Sequence, residues 1–381
     1  MTPARSAIVV GGGVGALATA IALRMKGIES EVFEQSSAIR ATGGALLLWS
    51  NAIRSLRALG LEPAIMAVGA PVERIEFRTA RGELLTSLDI ERLSRQARAA
   101  SVLVSREDLL TILSSALPAA AIHTDARFLE YRAEENGQAT ATFAGGAAST
   151  ADLLVGADGL HSTVRAQVCG AGPLRETGQI AFVGVARAEG ALDTGTPIAT
   201  VGAGLRFWSG PLRDAGVYWY ATVRATDAVS RDPDVAKRQL LELFGGWHEP
   251  IGELIEGTPS DQIIRTAIAD RRPVERWGAG PITLVGDAAH PCTPDLGQGA
   301  CQALESAVGL AECLEGADDI VVALRRYENR RIARTSRVTE LSFVTAIQSA
   351  VDHPLACALR DLGVRSLLVR IAEPELRWLM A

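Results

Sequence analysis

Residues 6–34 contain the pattern that most restricts how this chain can fold. An apolar run at residues 6–10 predicts a β-strand, and a glycine-rich segment at residues 11–16 follows it directly. Apolar residues then recur at helical spacing until Gly27, and residues 30–34 alternate like a second strand. Two such strands form a parallel pair when a helix joins them, so these residues predict a βαβ unit.

The turn of this unit has the spacing expected for binding a dinucleotide. Gly11 allows a tight turn, Gly13 lets backbone N–H groups approach a pyrophosphate, and the helix N-terminus stabilises the phosphate charge. Glu34 ends the second strand, where its carboxylate can accept hydrogen bonds from ribose hydroxyls; the alternative is an ordinary solvated glutamate. The predicted cofactor contacts in this unit are Gly11, Gly13, Val14, Gly15, Ala16, Glu34 and Gln35.

Two later segments repeat the change from a strand to a glycine turn and then to a helix. In the first, an apolar run from Asp152 leads into Asp158-Gly159. In the second, residues 282–285 lead into Gly286-Asp287, and the glycine-rich stretch 293–300 precedes a long helical pattern. Either segment alone could be a structural joint, since Asp-Gly is common in turns. Their order after a dinucleotide motif favours a shared binding function.

Between these segments the chain has the pattern of a sheet. Strand-like runs near residues 72–88 and 180–224 are separated by turn signals, whereas residues after 318 follow a helical pattern. The predicted fold class is therefore α/β. A Rossmann-like dinucleotide-binding domain, built on the Gly-x-Gly-x-x-Ala βαβ unit, is interrupted by a mainly β-sheet domain and followed by C-terminal helices.

Composition excludes several classes of function. The net charge is −6 and there is no long basic run, which disfavours a nucleic-acid partner because phosphate binding needs concentrated positive charge. No apolar stretch reaches the roughly 20 residues that cross a bilayer, so no transmembrane segment is expected. The five cysteines are odd in number and form no CxxC pair, which argues against a disulfide framework or a zinc site. We expect a cytoplasmic protein without a metal.

The three motifs, in this order and at these separations, resemble those of the flavoprotein aromatic hydroxylases, which are single-component FAD-dependent monooxygenases with the p-hydroxybenzoate hydroxylase fold. The resemblance spans residues 5–345. It implies that the first motif binds the ADP part of non-covalent FAD. It also implies that Asp158-Gly159 serves FAD and the reduced nicotinamide, and that Gly286-Asp287 holds the ribityl chain and its phosphate. The further FAD contacts implied, some of them beside the flavin ring, are Arg40, Arg106, Leu129, Pro294, Gly297, Gln298, Gly299 and Ala300.

The same resemblance divides the chain into parts. The FAD-binding domain is predicted to comprise residues 1–71, 98–177 and 268–345. The substrate-binding β-sheet domain is predicted to comprise residues 72–97 and 178–267, and residues 346–381 form C-terminal helices. One departure concerns Glu305-Ser306-Ala307, where the family often has Glu-Asp-Ala; this affects a helix interaction rather than flavin binding.

Within the family, residues 293–299 resemble the urate hydroxylases and plant epoxidase-like members, and residues 201–211 are similar to the urate hydroxylases. That similarity implies that Arg206 lies over the substrate; the alternative is a strand arginine that faces solvent. The next strand alternates Tyr218, Trp219 and Tyr220, so one or two of these side chains should face the pocket, and Tyr218 is the candidate.

Three other residues near the last motif are expected to be structural. His290 could be an acid or a base, but the family uses its position around the flavin motif. Cys292 and Cys301 are expected to be packing residues.

The resemblance implies a monooxygenase that uses NADH or NADPH and O2 to hydroxylate a small aromatic or heteroaromatic substrate through a C4a-hydroperoxyflavin, as a monomer or homodimer. Two alternatives remain at this point. One is a flavin oxidoreductase of the same fold that does not hydroxylate; the Trp-x-Trp-x-Ile segment of the halogenases is absent from the sequence. The other is a flavin-binding protein without turnover.

Overall fold

The computed structural model describes residues 4–39, 44–188, 190–213, 216–366 and 368–381. In these ranges the strands are β1 (Ser6–Val10), β2 (Glu29–Phe33), β3 (Ala45–Leu48), β4 (Ala70–Pro71), β5 (Arg74–Thr79), β6 (Leu84–Asp89), β7 (Val102–Ser105), β8 (Ile122–His123), β9 (Phe128–Ala133), β10 (Ala139–Phe143), β11 (Ala148–Ala151), β12 (Leu153–Gly156), β13 (Arg175–Ala186), β14 (Ile198–Val201), β15 (Arg206–Leu212), β16 (Gly216–Arg224), β17 (Ile264–Asp270) and β18 (Ile282–Leu284).

The α-helices of the described residues are numbered in chain order. They are α1 (Val14–Met25), α2 (Ser50–Ala58), α3 (Glu62–Val68), α4 (Ile90–Ala97), α5 (Arg106–Ser115), α6 (Thr163–Cys169), α7 (Pro233–Phe244), α8 (Ile251–Glu256), α9 (Gly299–Leu314), α10 (Ile320–Ser349), α11 (Pro354–Ser366) and α12 (Leu368–Met380). Several begin where the sequence supplies a capping oxygen: Ser105, Ser162 and Asp319 accept hydrogen bonds from backbone N–H groups at the starts of α5, α6 and α10.

The N-terminal βαβ unit lies at the centre of a parallel sheet. Within the described residues this sheet has five strands in the order β18-β12-β1-β2-β8, and every pair in it is parallel. Helix α1 packs in the buried core next to β1, with Ala16 and Leu17 fully buried. Because the carboxyl ends of parallel strands meet at one edge, the segments that follow β1, β2, β12 and β18 converge there.

The middle of the chain forms a second, larger sheet of seven strands in the order β17-β13-β16-β15-β14-β5-β6. Side chains alternate across it, so one face packs on the core of the parallel sheet and the other on α7 and α8. Tyr218 and Tyr220 point to the first face. Trp219 points to the second, where it stacks on Phe207 with ring centroids 5.6 Å apart. The predicted fold class is thus confirmed, including the C-terminal helices α10 to α12.

Two of the predicted domain boundaries fall inside strands of this sheet. The boundary between residues 177 and 178 lies within β13, and the boundary between residues 267 and 268 lies within β17. The division of the chain into FAD-binding and substrate-binding domains stays a prediction. Among the described residues, no helix combines the length and the apolar composition that a membrane span requires.

Candidate functional site

The loops at the carboxyl edge of the parallel sheet are hydrogen-bonded to one another. The Gly11 N–H donates to the Phe33 carbonyl at 2.8 Å, and the Ala157 N–H donates to the Val10 carbonyl at 2.8 Å. Farther along the same edge, the Val285 N–H donates to the Gly156 carbonyl at 2.9 Å. The structure therefore brings the three sequence motifs together at one edge of the sheet, which is consistent with a shared binding function.

Gly11 and Gly13 have different physical requirements. Gly11 has φ = +115°, and a Cβ built on it would lie 2.4 Å from the Ala157 carbonyl oxygen, so only glycine fits. Gly13 has an extended backbone, and a Cβ there would meet no protein atom within 4 Å. Helix α1 starts beside this open space without a side-chain cap and without an acidic residue in its first turn. Its N-terminal N–H groups are thus available to an anion.

Glu34 lies beside this glycine turn. Its Oε1 accepts a hydrogen bond from the Ser36 N–H at 2.8 Å, while Oε2 would lie 2.8 Å from a Cβ on Gly12. The Glu34 side chain is half-buried, and the neighbouring Gln35 is exposed. The carboxylate is therefore next to the open space at Gly13, where the sequence placed a ribose contact.

The carboxylate of Asp158 is occupied by the start of helix α6. It accepts hydrogen bonds from the Ser162 hydroxyl and from the backbone N–H groups of Thr163 at 2.7 Å and Val164 at 3.2 Å. Gly159 has φ = +81°, which explains a glycine after Asp158. Asp158-Gly159 thus forms a turn at the shared edge in which the Asp158 carboxylate caps helix α6.

Asp287 is in a different situation from Asp158. Burial among protein atoms raises the pKa of its carboxyl group, and the nearby Arg106 lowers it, yet the Asp287 side chain is exposed. A carboxylate that is surrounded by protein but reached by water faces a cleft. Gly286 has φ = +62°. A Cβ built on it would lie 3.4 Å from the Ala303 Cβ, so α9 passes close to this turn.

The glycine-rich stretch before α9 is fixed by contacts from the first third of the chain. The Trp49 indole N–H donates to the Leu296 carbonyl at 3.0 Å, and a Cβ on Gly297 would lie 3.1 Å from the same indole nitrogen. Gln298 is fully buried, and its Oε1 accepts from the Asn51 amide at 3.1 Å. The Gln298 Nε2 has no hydrogen-bond partner within the described residues.

The seven-stranded sheet reaches this stretch through Arg206. Its guanidinium donates to Thr222 Oγ1 at 3.0 Å and to Gln179 Oε1 at 3.0 Å, and it forms an ion pair with Asp295. The side chains of Arg206 and Asp295 are 15% and 0% exposed, so the pair is buried. Arg206 is thus neither a solvated strand arginine nor an unpaired cation.

Tyr218 lies farther along the same sheet face. Its ring is 3.8 Å from the position of a Cβ on Gly44, and its ring centroid is 5.8 Å from that of Trp208. Burial raises the pKa of its hydroxyl group, and Arg106, at the start of α5, lowers it. The charge of Arg106 therefore acts on both Asp287 and Tyr218.

Comparison with known proteins assigns the fold to a family. A family model described as an FAD binding domain matches residues 5–342. Aurachin C monooxygenase/isomerase of Stigmatella aurantiaca is 34% identical over 360 residues, covering 94% of each chain. FAD-dependent urate hydroxylase of Klebsiella pneumoniae is 32% identical over 331 residues, covering 86% of each chain. The structure of Klebsiella pneumoniae HpxO complexed with FAD and uric acid matches with a TM-score of 0.93 and 27% identity, covering 99% of this chain and 96% of that one.

This chain belongs to the p-hydroxybenzoate hydroxylase-like flavoprotein monooxygenases. It is therefore an FAD-dependent oxidoreductase, as the three motifs predicted. Three features fit a bound FAD: the open space at Gly13, the start of α1 without a side-chain cap, and the Gln298 Nε2, which has no partner in the described residues. Which residues of this flavoprotein monooxygenase contact FAD stays a prediction from the sequence.

Two further predicted FAD contacts of the flavoprotein lie outside the loops described above. Leu129 lies on β9, in the three-stranded sheet β11-β10-β9, and is 47% exposed. Arg40 lies outside the described residues. Val14 and Gly15, in contrast, open α1, and a Cβ on Gly15 would lie 3.4 Å from that of Ala303 on α9.

The sequence analysis missed a buried polar network behind the glycine-rich stretch. Glu305 on α9 accepts from Asn51 on α2 and from Arg331 and Arg334 on α10. The next residue, Ser306, contacts His290 Nε2 at 3.0 Å. The Glu305-Ser306-Ala307 departure from the family pattern pointed at this place, but neither Asn51 nor Arg331 carries a local sequence signal.

Proposed function

We propose that this flavoprotein hydroxylates a small aromatic or heteroaromatic substrate, with NADH or NADPH as reductant and O2 as the oxygen source. Bound FAD would supply the redox chemistry, accepting a hydride from the nicotinamide and activating oxygen for transfer of one atom to the ring. The balanced reaction consumes substrate, reduced nicotinamide, a proton and O2. It yields the hydroxylated product, oxidised nicotinamide and water.

The residues at the carboxyl edge would hold FAD. Gly13 and the start of α1 would receive the pyrophosphate, and Glu34 would accept hydrogen bonds from the ribose hydroxyls. Asp287 would accept from the ribityl chain, because its carboxylate faces the cleft and is free of strong protein hydrogen bonds in the described residues. Pro294, Gly297, Gly299 and Ala300 would border the flavin ring.

The observation that carries the proposal is the face of the seven-stranded sheet opposite this stretch. Trp208, Tyr218 and Tyr220 give it three aromatic rings, and Arg206 ties it to Asp295 beside the predicted flavin position. Aromatic side chains stack on planar rings and exclude water. A flat ring held on this face would lie next to the flavin-binding stretch.

The polar residues of this face would orient the ring. The buried Arg206–Asp295 pair is electrically balanced, so it would present polarity without a net charge. Thr222 and Gln179 hold the Arg206 guanidinium in place by hydrogen bonds. The pair would therefore form the polar end of an otherwise apolar pocket. The aromatic face and this polar end together favour ring systems with hydrogen-bonding substituents.

The test is a turnover assay on the purified, FAD-loaded protein. NADH and NADPH consumption would be followed with phenols, aromatic acids, quinolones and purines, because relatives are named for urate, aurachin C and 3-amino-4-hydroxybenzoate. Incorporation of one atom from isotopically labelled O2 into a product is expected for the active ring. Hydrogen peroxide without a product would identify an oxidase. No nicotinamide oxidation with any ring would favour a flavin-binding protein without turnover.

A further inference from the structure

Tyr220 has a buried hydroxyl group for which the described part of the chain supplies no hydrogen-bond partner. Buried phenol groups normally find a partner, because an unpaired one loses its hydrogen bonds to water without replacement. Two other buried aromatic side chains of this protein follow that rule. Tyr327 donates to the Leu284 carbonyl at 3.0 Å, and the Trp219 indole N–H donates to Thr258 Oγ1 at 2.8 Å.

The position of Tyr220 places this hydroxyl on the side of the sheet that faces the predicted flavin position. Tyr220 lies on β16 directly across from Trp208 on β15 and Val183 on β13. Residues directly opposite in neighbouring strands share a face of the sheet. Tyr220 thus belongs to the same aromatic face as Trp208 and Tyr218, two positions closer to the Arg206–Asp295 pair than Tyr218 is.

Burial keeps the Tyr220 hydroxyl group protonated. Burial raises its pKa, Arg206 lowers it, and Asp295 and Tyr218 raise it further, with a net shift upward. A phenol that stays neutral at every physiological pH can donate a hydrogen bond but does not serve as a base.

We propose that Tyr220 is a substrate-binding residue that donates a hydrogen bond to a neutral acceptor, a carbonyl or hydroxyl oxygen, on the ring held against the aromatic face of the sheet. This inference rests on the proposed function and names a substrate class within it. The ring carries an oxygen substituent at the end that points to Arg206, and no carboxylate at that end.

The ion pair explains why the acceptor is neutral. The three guanidinium nitrogens of Arg206 are already engaged with Thr222, Gln179 and Asp295. A carboxylate brought to this end would meet a compensated cation and the buried carboxylate of Asp295, and burying a second anion there is unfavourable. A neutral oxygen acceptor pairs with the phenol without that penalty.

The experiment compares Tyr220→Phe with the wild type, both loaded with FAD. Ring binding would be measured through the change in flavin absorbance, using two pairs of neutral probes that differ in one oxygen substituent: 4-quinolone against quinoline, and hypoxanthine against purine. We expect Tyr220→Phe to retain FAD and to bind the oxygen-bearing probe about five- to tenfold more weakly, the effect of losing one neutral hydrogen bond. The parent ring should bind equally to both proteins.

A stability measurement separates this role from a structural one. Since Tyr220 has no protein partner within the described residues, Tyr220→Phe should leave the Tm unchanged or raise it. The matched control, Tyr327→Phe, loses an existing hydrogen bond and should lower the Tm. A lowered Tm in Tyr220→Phe, with equal loss of affinity for both members of a probe pair, would overturn the inference.

The two assays distinguish the role of Tyr220 from the proposed hydroxylase activity. If the wild type binds and oxidises an oxygen-bearing ring but Tyr220→Phe does so with unchanged affinity, the substrate-binding role of Tyr220 is wrong and the proposed function stands. If the wild type responds to no ring in either assay, the proposed function is wrong and the role of Tyr220 is wrong with it.

Discussion

His290 is enclosed by the core next to the Gly286-Asp287 turn. Its Nε2 lies 3.0 Å from the Ser306 hydroxyl oxygen, and its ring centroid is 5.3 Å from that of Trp277. Burial and, to a smaller extent, the nearby Arg331 lower the pKa of His290 to about 3. The imidazole is therefore neutral in the folded protein at physiological pH, which argues against an acid–base role.

The lowered pKa of His290 makes the free energy of unfolding decrease as the pH falls. The folded-state pKa lies below the ordinary value of 6.5, so the unfolded chain binds a proton at His290 that the folded protein does not bind. The contribution is fully present above pH 6.5 and is lost as the pH falls from there toward 3. The free energy of unfolding should decrease by about 1.4 kcal/mol per pH unit from this histidine alone.

Denaturant unfolding at pH 7 and pH 5 would check this, with His290→Gln as the comparison. The variant cannot take up the proton, so its stability should fall less between the two pH values than that of the wild type. Equal decreases in both proteins would show that folding does not lower the pKa of His290.

At the scale of an element, the start of helix α1 separates two glycines with different roles. Gly11→Ala puts a Cβ 2.4 Å from the Ala157 carbonyl oxygen at φ = +115°, so the apoprotein should be strongly destabilised. Gly13→Ala places its Cβ in open space, so the apoprotein should melt as the wild type does. FAD affinity of Gly13→Ala should nevertheless fall at least tenfold, because the methyl group fills the phosphate position.

Thermal melting of the apoproteins and FAD titration would test this pair. Normal FAD binding by Gly13→Ala would mean that the pyrophosphate lies elsewhere.

The two strand-end aspartates form a second pair at this scale. Asp158 caps helix α6 with three hydrogen bonds, so Asp158→Ala should lower the free energy of unfolding by about 0.5–2 kcal/mol. Asp287 faces the cleft, so Asp287→Ala should reduce FAD affinity with little loss of apoprotein stability. Urea unfolding and FAD titration of both variants would distinguish the roles. An apoprotein of Asp287→Ala that melts much earlier but loads FAD normally would make Asp287 a structural residue.

At the scale of the whole molecule, Arg206 connects the seven-stranded sheet to the stretch before α9. Lysine offers one ammonium group, so it cannot reproduce the contacts with Thr222, Gln179 and Asp295 at once. Arg206→Lys should keep FAD, because Arg206 is not itself one of the predicted FAD contacts. It should raise KM or divert turnover to hydrogen peroxide, because the polar end of the pocket loses its position.

Steady-state kinetics and a peroxide assay would compare this variant with Arg224→Lys. Arg224 is on the same sheet but has a side chain that is 39% exposed and pairs with Asp227 and Asp352. The control should behave as the wild type. Identical KM and coupling in Arg206→Lys would remove Arg206 from the site.

Several parts of the site followed from local sequence patterns. Gly11 was predicted as a tight-turn glycine, and its positive φ and contact with Ala157 agree. Glu34 was placed beside the glycine turn by its position at the end of a strand, and it lies there. The alternation of Tyr218, Trp219 and Tyr220 across two faces followed from the period of a strand.

Other parts could not be read from local pattern. The ion pair between Arg206 and Asp295 joins residues 89 positions apart, and the network at Glu305 joins α2, α9 and α10. Nothing in the sequence around Asn51 or Arg331 specifies those partners, because they depend on how helices and sheets pack. The capping role of Asp158 also required the structure, since an Asp-Gly turn fits either a cap or a ligand contact.

The sequence by itself determined the βαβ unit and the strand–turn–helix pattern of the three motifs. These follow from short-range physics, because residue spacing sets each strand and helix. Only the tertiary structure decided which polar atoms are satisfied by protein and which are left for a ligand. That distinction, which separates Asp158 from Asp287 and Tyr327 from Tyr220, depends on burial and on partners brought from distant parts of the chain.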